Sequence, residues 1–353
     1  METWGDQYHS LISGRSNGLR AGTLRTALWA ASVPYGWGVR FRNRLYDQGL
    51  KQSIRVNVPV VSVGNLTLGG TGKTPCVEYV ARFYRECGLR VTILSRGYGG
   101  NGGRNDEALV LEENLPDVPH LQGKDRVSLA QTAIEEIDAE ILVLDDGFQH
   151  RRLQRDLDLV LVDATNPWGN GHLFPRGFLR EPPSSLRRAS VIVLTHCDQV
   201  EPESRIELRR SVSRRAGDVA LAEATHRAIE LSNSEKVTSF LDLLARRPVA
   251  AFCGIGNAES FRRTLTSLGA EVRSFRTYPD HHAYTREDVE DLRTWAGREP
   301  EDSIIVTTQK DLVKICLKQL GHRPLWALRI GLHIESGQEK LESKLRSMVN
   351  RSE

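Results

Sequence analysis

The 353-residue sequence predicts an α/β fold in two parts. A larger, mostly parallel sheet with helices on both faces comes first, followed by a smaller C-terminal α/β domain. Three observations predict it. Uncharged apolar runs at 60–63, 141–144 and 191–194 alternate with helix-like stretches, as strands buried on both faces alternate with their crossover helices. The first run ends in a glycine-dense turn, and Gly72-Lys73-Thr74 opens what reads as a helix. The alternation then restarts at 248, after an extended stretch 226–231 that suggests a short connecting β-ribbon.

Length suits about two domains, at roughly 100–200 residues each. The expected division is an N-terminal segment 1–50, a phosphate-loop domain 51–222, and a smaller domain 223–353 that includes the ribbon. With 39% hydrophobic and 26% charged residues the chain reads as soluble and globular, and a net charge of +3 gives no reason to expect a nucleic-acid partner. Charge is uneven, however: residues 1–60 hold eight Lys/Arg against Glu2, Asp6 and Asp47. The five cysteines (Cys76, Cys87, Cys197, Cys253 and Cys316) show no paired metal-like spacing, which favours reduced thiols in a cytosolic compartment.

In chain order, no cleavable signal peptide is expected at the start. Residues 27–39 carry no charge, fall short of the ~20 residues that cross a bilayer, and are interrupted by Pro34. Trp29, Tyr35 and Trp37 beside Arg25, Arg40, Arg42 and Arg44 suit a segment lying in a membrane interface, and equally a helix packed on the domain that follows. Strand 58–63, the glycine turn, a helix near 74–87 and strand 90–94 come next. A polar loop precedes a helix at 125–137 and strand 141–144, with further strands at 157–163 and 190–195 and an Arg-rich helix at 202–215. The second part supplies strands 248–253, 271–277 and 303–307, with helices after 256, near 285–296 and from Lys310. Gly254-Ile255-Gly256 lacks the third glycine of a dinucleotide fingerprint and reads as a packing turn.

The chemistry centres on Gly69, Gly70, Thr71, Gly72, Lys73, Thr74 and Pro75. Glycines there let backbone N–H groups approach phosphates, and the helix N-terminus adds its positive end. Lys73 would reach the phosphates and the Thr74 hydroxyl would sit on Mg²⁺. Leu68 stands where one ATPase variant of this loop has a lysine. Asp145 and Asp146, at the end of an apolar strand, are the carboxylates such a fold needs for Mg²⁺. Thr195 and His196 replace the Asn and Lys of a guanine reader, so the expected cofactors are ATP and Mg²⁺. The run Arg151-Arg152-Leu153-Gln154-Arg155 reads first as a solvated turn, with an acidic lipid surface as the functional alternative.

These motifs form an ordered set with 94–100 (Leu-Ser-Arg-Gly-Tyr-Gly-Gly), Asp145-Asp146-Gly147-Phe148-Gln149-His150 and Gly169-Asn170-Gly171. It continues through 173–177 (Leu-Phe-Pro-Arg-Gly), Leu179-Arg180-Glu181, Tyr278-Pro279-Asp280-His281-His282 and Thr307-Thr308-Gln309-Lys310-Asp311. From about Leu24 to about Gly331 the chain resembles the tetraacyldisaccharide 4′-kinases, the lipid A 4′-kinases. The resemblance implies transfer of the γ-phosphoryl of ATP to the 4′-hydroxyl of an acylated glucosamine disaccharide. It places that work at the cytoplasmic face of an inner membrane, by a peripheral protein that does not span it, and a monomer is expected. It also implies a catalytic Asp at Asp106, with Glu107 beside it, and a supporting His at His281 in the second domain. Arg126 matches a basic position near substrate, and Asn65 and Arg96 join the substrate side. The contact of Asp106 with His281 is expected across two domains that face each other over the phosphate loop. The chain departs from the family pattern at Asn105, Ala108 and Gln309, where Gly, Pro and Glu are usual. The rival class is a switch or chaperone ATPase acting on a protein partner.

Overall fold

The computed structural model describes residues 8, 10–14, 16, 18–97 and 106–349. They divide into two compact units of interleaved segments. The first gathers the described residues of Met1–Gly97, Leu115–His226 and Leu332–Glu353; the second gathers those of Tyr98–Asn114 and Arg227–Gly331. The sequence division runs in consecutive blocks, whereas here 106–114 joins the second unit ahead of its main segment and 332–349 returns to the first. Sequence blocks carry no information about such returns.

In the first unit the strands β1 (Val60–Asn65), β2 (Val91–Ser95), β3 (His120–Gln122), β4 (Ile141–Asp145), β5 (Leu157–Asp163), β6 (Val191–Thr195) and the start of β7 (Ala220–Ser232) form a parallel sheet. Its order is β7-β6-β5-β1-β4-β2-β3. All residues of β1, β2, β4 and β6 are buried, which is why these strands read as unbroken apolar runs. The register Val63↔Asp145 brings the C-terminal end of β4 beside that of β1. That end of a parallel sheet is where ligands bind in such folds.

Helix α1 (Leu19–Asp47) precedes the sheet; α2 (Lys73–Glu86) packs on β1, β2 and β4. Helix α3 (Asp106–Asn114) belongs to the second unit, and α4 (Arg126–Ile137) sets Val127, Ala130 and Ala133 against Val60, Leu142 and Leu144. Helix α5 (Pro202–Ala216) sets Leu208 and Val212 against Val160, Val162, Ile192 and Leu194.

The second unit is a four-stranded parallel sheet, β10-β9-β11-β13, made of β9 (Pro248–Cys253), β10 (Glu271–Thr277), β11 (Ile304–Thr308) and β13 (Arg323–Ser336). Short antiparallel additions are β8 (Thr238–Ser239) on β7 and β12 (Gln319–Leu320) on β13. Val249, Ala251 and Cys253 face one cluster with Phe261 and Leu265, while Ala250 and Phe252 face another with Leu292, Trp295 and Leu312. The alternation follows from the two-residue period of a strand covered on both sides. Covering helices are the short α6 (Leu243–Arg246), α7 (Ala258–Ser267), α8 (Arg286–Gly297) and α9 (Gln309–Ile315); α10 (Gln338–Val349) ends the described chain and packs in the first unit.

Three expectations change. Residues 106–114, taken as polar loop, form α3, with Asp106 and Glu107 in the first turn where carboxylates suit the helix dipole. The extended stretch at 226–231 belongs to the 13-residue strand β7. Pro34, taken as an interruption, lies inside the 29-residue α1. Tertiary anchors hold that helix across the missing backbone bond. Tyr35 Oη donates to the Arg180 carbonyl at 3.0 Å, and Asn43 Nδ2 donates to Glu181 Oε2 at 2.8 Å. Along its length it exposes Leu24, Trp29, Trp37 and Phe41. No helix among the described residues is long and apolar enough to cross a membrane.

Candidate active site

The phosphate loop follows β1 and is built as the sequence requires. Gly69 and Gly72 take φ of +107° and +80°, a region that glycine enters without strain. Gly72 caps α2 in the left-handed conformation, with no side-chain acceptor on the first amides of the helix. Those amides and the helix dipole therefore remain available to an anion. Asn65 Nδ2 donates to Thr71 Oγ1 at 2.7 Å, and Thr195 Oγ1 donates to the Thr71 carbonyl at 3.0 Å, tying the loop to β1 and β6. Pro75 sits in the first turn, where a missing N–H costs nothing.

Lys73 and Thr74 open α2, and Lys73 Nζ lies 4.0 Å from Asp146 Oδ1. Asp145 ends β4, and Asp146 follows it in the left-handed region at φ +53°. Arg180 Nη1 donates to both Asp146 oxygens at 2.8 Å. Burial works to raise the Asp146 carboxyl, but Lys73 and Arg180 outweigh it and hold it below the ordinary Asp value. Arg126 is buried and turned inward, its Nη2 donating to the Asp145 carbonyl at 3.1 Å. Arg96 is exposed at the end of β2, just before residues 98–105, which lie outside the described residues along with Tyr98, Gly99, Gly100 and Asn105 of the expected motifs.

A second cluster stands in the second unit. His281 Nδ1 and Asp106 Oδ2 are 3.0 Å apart, and Lys314 Nζ lies 2.8 Å from the same oxygen. The contact expected across two domains is thus internal to one unit, because segment 106–114 packs with 227–331. Burial raises the Asp106 carboxyl, yet the hydrogen bonds from His281 and Lys314 prevail and hold it below the usual range. The bond to Asp106 pulls the His281 imidazole up, against burial. The pair therefore favours carboxylate and imidazolium. His282 is engaged elsewhere, 3.0 Å from Asp288 Oδ2 in the capping box of α8 and stacked on Tyr278. Lys310 Nζ donates to Glu107 Oε1 at 3.0 Å. Gln309, the departure from the family pattern, exchanges two amide hydrogen bonds with Asn114.

Sequence reasoning missed Arg180, Lys314 and His226. The imidazole of His226 lies against Gly72 so closely that it leaves no room for a Cβ there, and it packs 4.6 Å from the His196 ring. Leu179-Arg180-Glu181 is one of the sequence motifs, but nothing in its spacing ties Arg180 to Asp146. In the basic run 151–155, Arg151 pairs with Asp47, Arg152 with Asp125 and Arg155 with Asp158.

A family model described as tetraacyldisaccharide-1-P 4′-kinase matches residues 24–350. The chain belongs to that family. A tetraacyldisaccharide 4′-kinase of Anaeromyxobacter dehalogenans (strain 2CP-C) is 41% identical over 338 residues, covering 90% of this chain and 89% of the relative. One from Syntrophus aciditrophicus (strain SB) is 39% identical over 331 residues, covering 86% and 88%. Among solved structures, the "apo" form of LpxK from Aquifex aeolicus in complex with ATP superposes with a TM-score of 0.76 at 33% identity, over 92% of this chain and 99% of that one. The likeness to the 4′-kinase family thus spans both units.

Proposed function

We propose that the chain phosphorylates the 4′-hydroxyl of a tetraacylated glucosamine disaccharide 1-phosphate with ATP, a step of lipid A biosynthesis. The observation that carries this reading is the Asp106–His281 pair at 3.0 Å in a chain of the 4′-kinase family that keeps its phosphate loop intact. The glycines 69, 70 and 72, with Thr71 and Pro75, shape a cradle for the ATP phosphates, and Lys73 neutralises charge on them. Thr74, Asp145 and Asp146 offer hydroxyl and carboxylate oxygens, the donor chemistry that suits Mg²⁺. When bound, that ion screens the phosphate oxygens. Among the described residues no group of three or more His, Cys, Asp or Glu side chains is placed to hold a metal ion.

Asp106 accepts the proton of the sugar hydroxyl, and His281 orients it. A loose phosphoryl-transfer transition state asks more of position and charge than of base strength, so a carboxylate held ionised suits the task. Glu107, Arg126, Asn65 and Arg96 serve the acylated disaccharide side, with Arg126 acting close to the acidic pair it touches. The exposed aromatic residues of α1 dock the protein on the cytoplasmic face of the inner membrane without spanning it, and the chain works as a monomer.

The test is a double-mutant cycle on kcat with saturating MgATP. Asp106→Ala is expected to cost on the order of 10²–10⁴ in rate with little change in ATP binding. Adding His281→Ala should cost less than the sum of the single losses, because the two act as one unit. Fully additive losses, or a His281→Ala enzyme as fast as the parent, would contradict the assignment.

A further inference from the structure

Lys314 touches both Asp106 and the turn that carries His281. It stands in the last turn of α9, its side chain 11% exposed, with Nζ 2.8 Å from Asp106 Oδ2. The same ammonium donates to the His282 carbonyl at 3.2 Å. One contact grips the carboxylate, and the other grips the turn that carries His281. That turn is a demanding one. The His281 backbone lies at φ +58°, in the left-handed region that residues other than glycine seldom enter. Its amide is spanned by the Gly254 carbonyl at 3.2 Å and Asp280 Oδ1 at 3.1 Å. The direction of the imidazole therefore depends on how firmly the turn is held.

The arrangement has a regular partner one turn earlier. Lys310 and Lys314 are four residues apart on α9 and so lie on one face, and they meet the consecutive carboxylates Glu107 and Asp106 at 3.0 and 2.8 Å. Among the described residues, the contacts of His281 and Lys314 both fall on Asp106 Oδ2. Besides these two donors, the charged groups around the pair are Glu107, held by Lys310, and Asp280, whose Oδ2 is 3.9 Å from His281 Nε2.

We propose that Lys314 is a positioning residue for phosphoryl transfer, fastening the Asp106 carboxylate and the His281 turn into one reactive geometry. The proposal rests on the reading of Asp106 as the proton acceptor. A lysine with a merely structural role would alter stability when replaced and leave kcat of the folded enzyme where it was. A cation 2.8 Å from the carboxylate also sets the pH at which that carboxylate is ionised.

The experiment uses the full-length protein and compares Lys314→Met, Lys314→Arg and Asp106→Asn with the parent. The readouts are kcat against pH at saturating ATP and acceptor lipid, and the His281 imidazole titration followed by NMR. Lys314→Met is expected to lower kcat roughly 10–100-fold while KM for ATP stays within about twofold. Its acid limb should move to higher pH, because Asp106 has lost a cation, and His281 should titrate at higher pH for the same reason. Lys314→Arg should restore most of both. If Lys314→Met does not fold, Lys314→Gln is read in the same way. An acid limb and a His281 titration unchanged in Lys314→Met, with Asp106→Asn inactive, would overturn the role of Lys314 alone. An Asp106→Asn enzyme with the parent's kcat would overturn the proton-acceptor reading, and this proposal with it.

Discussion

At the scale of single residues, the two clusters are governed by which charge sits beside which. Lys73→Ala should leave a folded protein, since the side chain is directed at Asp146 and not at the core. Its kcat should fall by roughly 10²–10³-fold, the usual cost of removing a preorganised positive group from a developing charge. Near-normal turnover in that variant would remove the phosphate loop from the mechanism. His226 makes a different prediction, about stability. Burial first, then its neighbour His196, push its imidazole down from 6.5 to about 4. As pH falls below 6.5 the unfolded chain takes up a proton that the folded chain refuses, so stability is lost from there down to about pH 4. Between pH 7 and pH 5 that loss is about 2 kcal/mol. Urea unfolding at the two pH values measures it, and His226→Gln should flatten the difference. Glu181 acts with the same sign at lower pH. Burial opposes its ionisation, but Arg188 and hydrogen-bonding neighbours hold its carboxyl below the ordinary Glu value, so its contribution vanishes as pH falls through that range.

Among the elements, α1 shows most plainly what sequence could and could not reveal. Its aromatic and arginine content was legible, and so was its failure to reach bilayer length. The anchoring side was not, because Tyr35 and Asn43 find their partners at 180 and 181, far along the chain. Those contacts let the helix run through Pro34, against a local cost of about 3 kcal/mol for an interior proline. Pro34→Ala should therefore raise the melting temperature or leave it unchanged; a clear drop would mean that the proline is needed for the bend or packing of α1. Glu181, buried and accepting from Arg42, Asn43 and Arg188, is the hub of that anchor. Glu181→Ala leaves the partly buried Arg188 without its carboxylate and should destabilise the protein by roughly 1–3 kcal/mol in denaturant unfolding. Exposed Trp29, Trp37 and Phe41 give the opposite prediction: changing all three to Ser should weaken binding to anionic vesicles while the melting temperature stays within about 2 °C. Unchanged vesicle binding would detach α1 from the membrane. Strands β1, β4, β5 and β6 were readable because burial on both faces writes itself as continuous apolar text. The helix α3 was hidden by the glycine- and asparagine-rich stretch before it, and the length of β7 by the charged and polar residues that interrupt its second half.

On the scale of the molecule, the chemistry is divided between units that the chain builds from interleaved segments. The phosphate loop and acidic pair belong to the first, and Asp106, His281 and Lys314 to the second. Composition and strand order predict the α/β class, but the joining of 106–114 to the second unit depends on pairings such as Lys310 with Glu107 and Gln309 with Asn114, which no local pattern encodes. The identity of the acceptor is the central claim, and one measurement bears on it most directly. Purified full-length protein is incubated with MgATP and a tetraacylated glucosamine disaccharide 1-phosphate in mixed micelles, and the product is examined by ³¹P and ¹H NMR. The account predicts a new phosphomonoester at the 4′ position, no product with water-soluble glucosamine, and no product from Lys73→Ala. ATP hydrolysis without a 4′-phosphorylated lipid, or equal phosphorylation of free glucosamine, would contradict it.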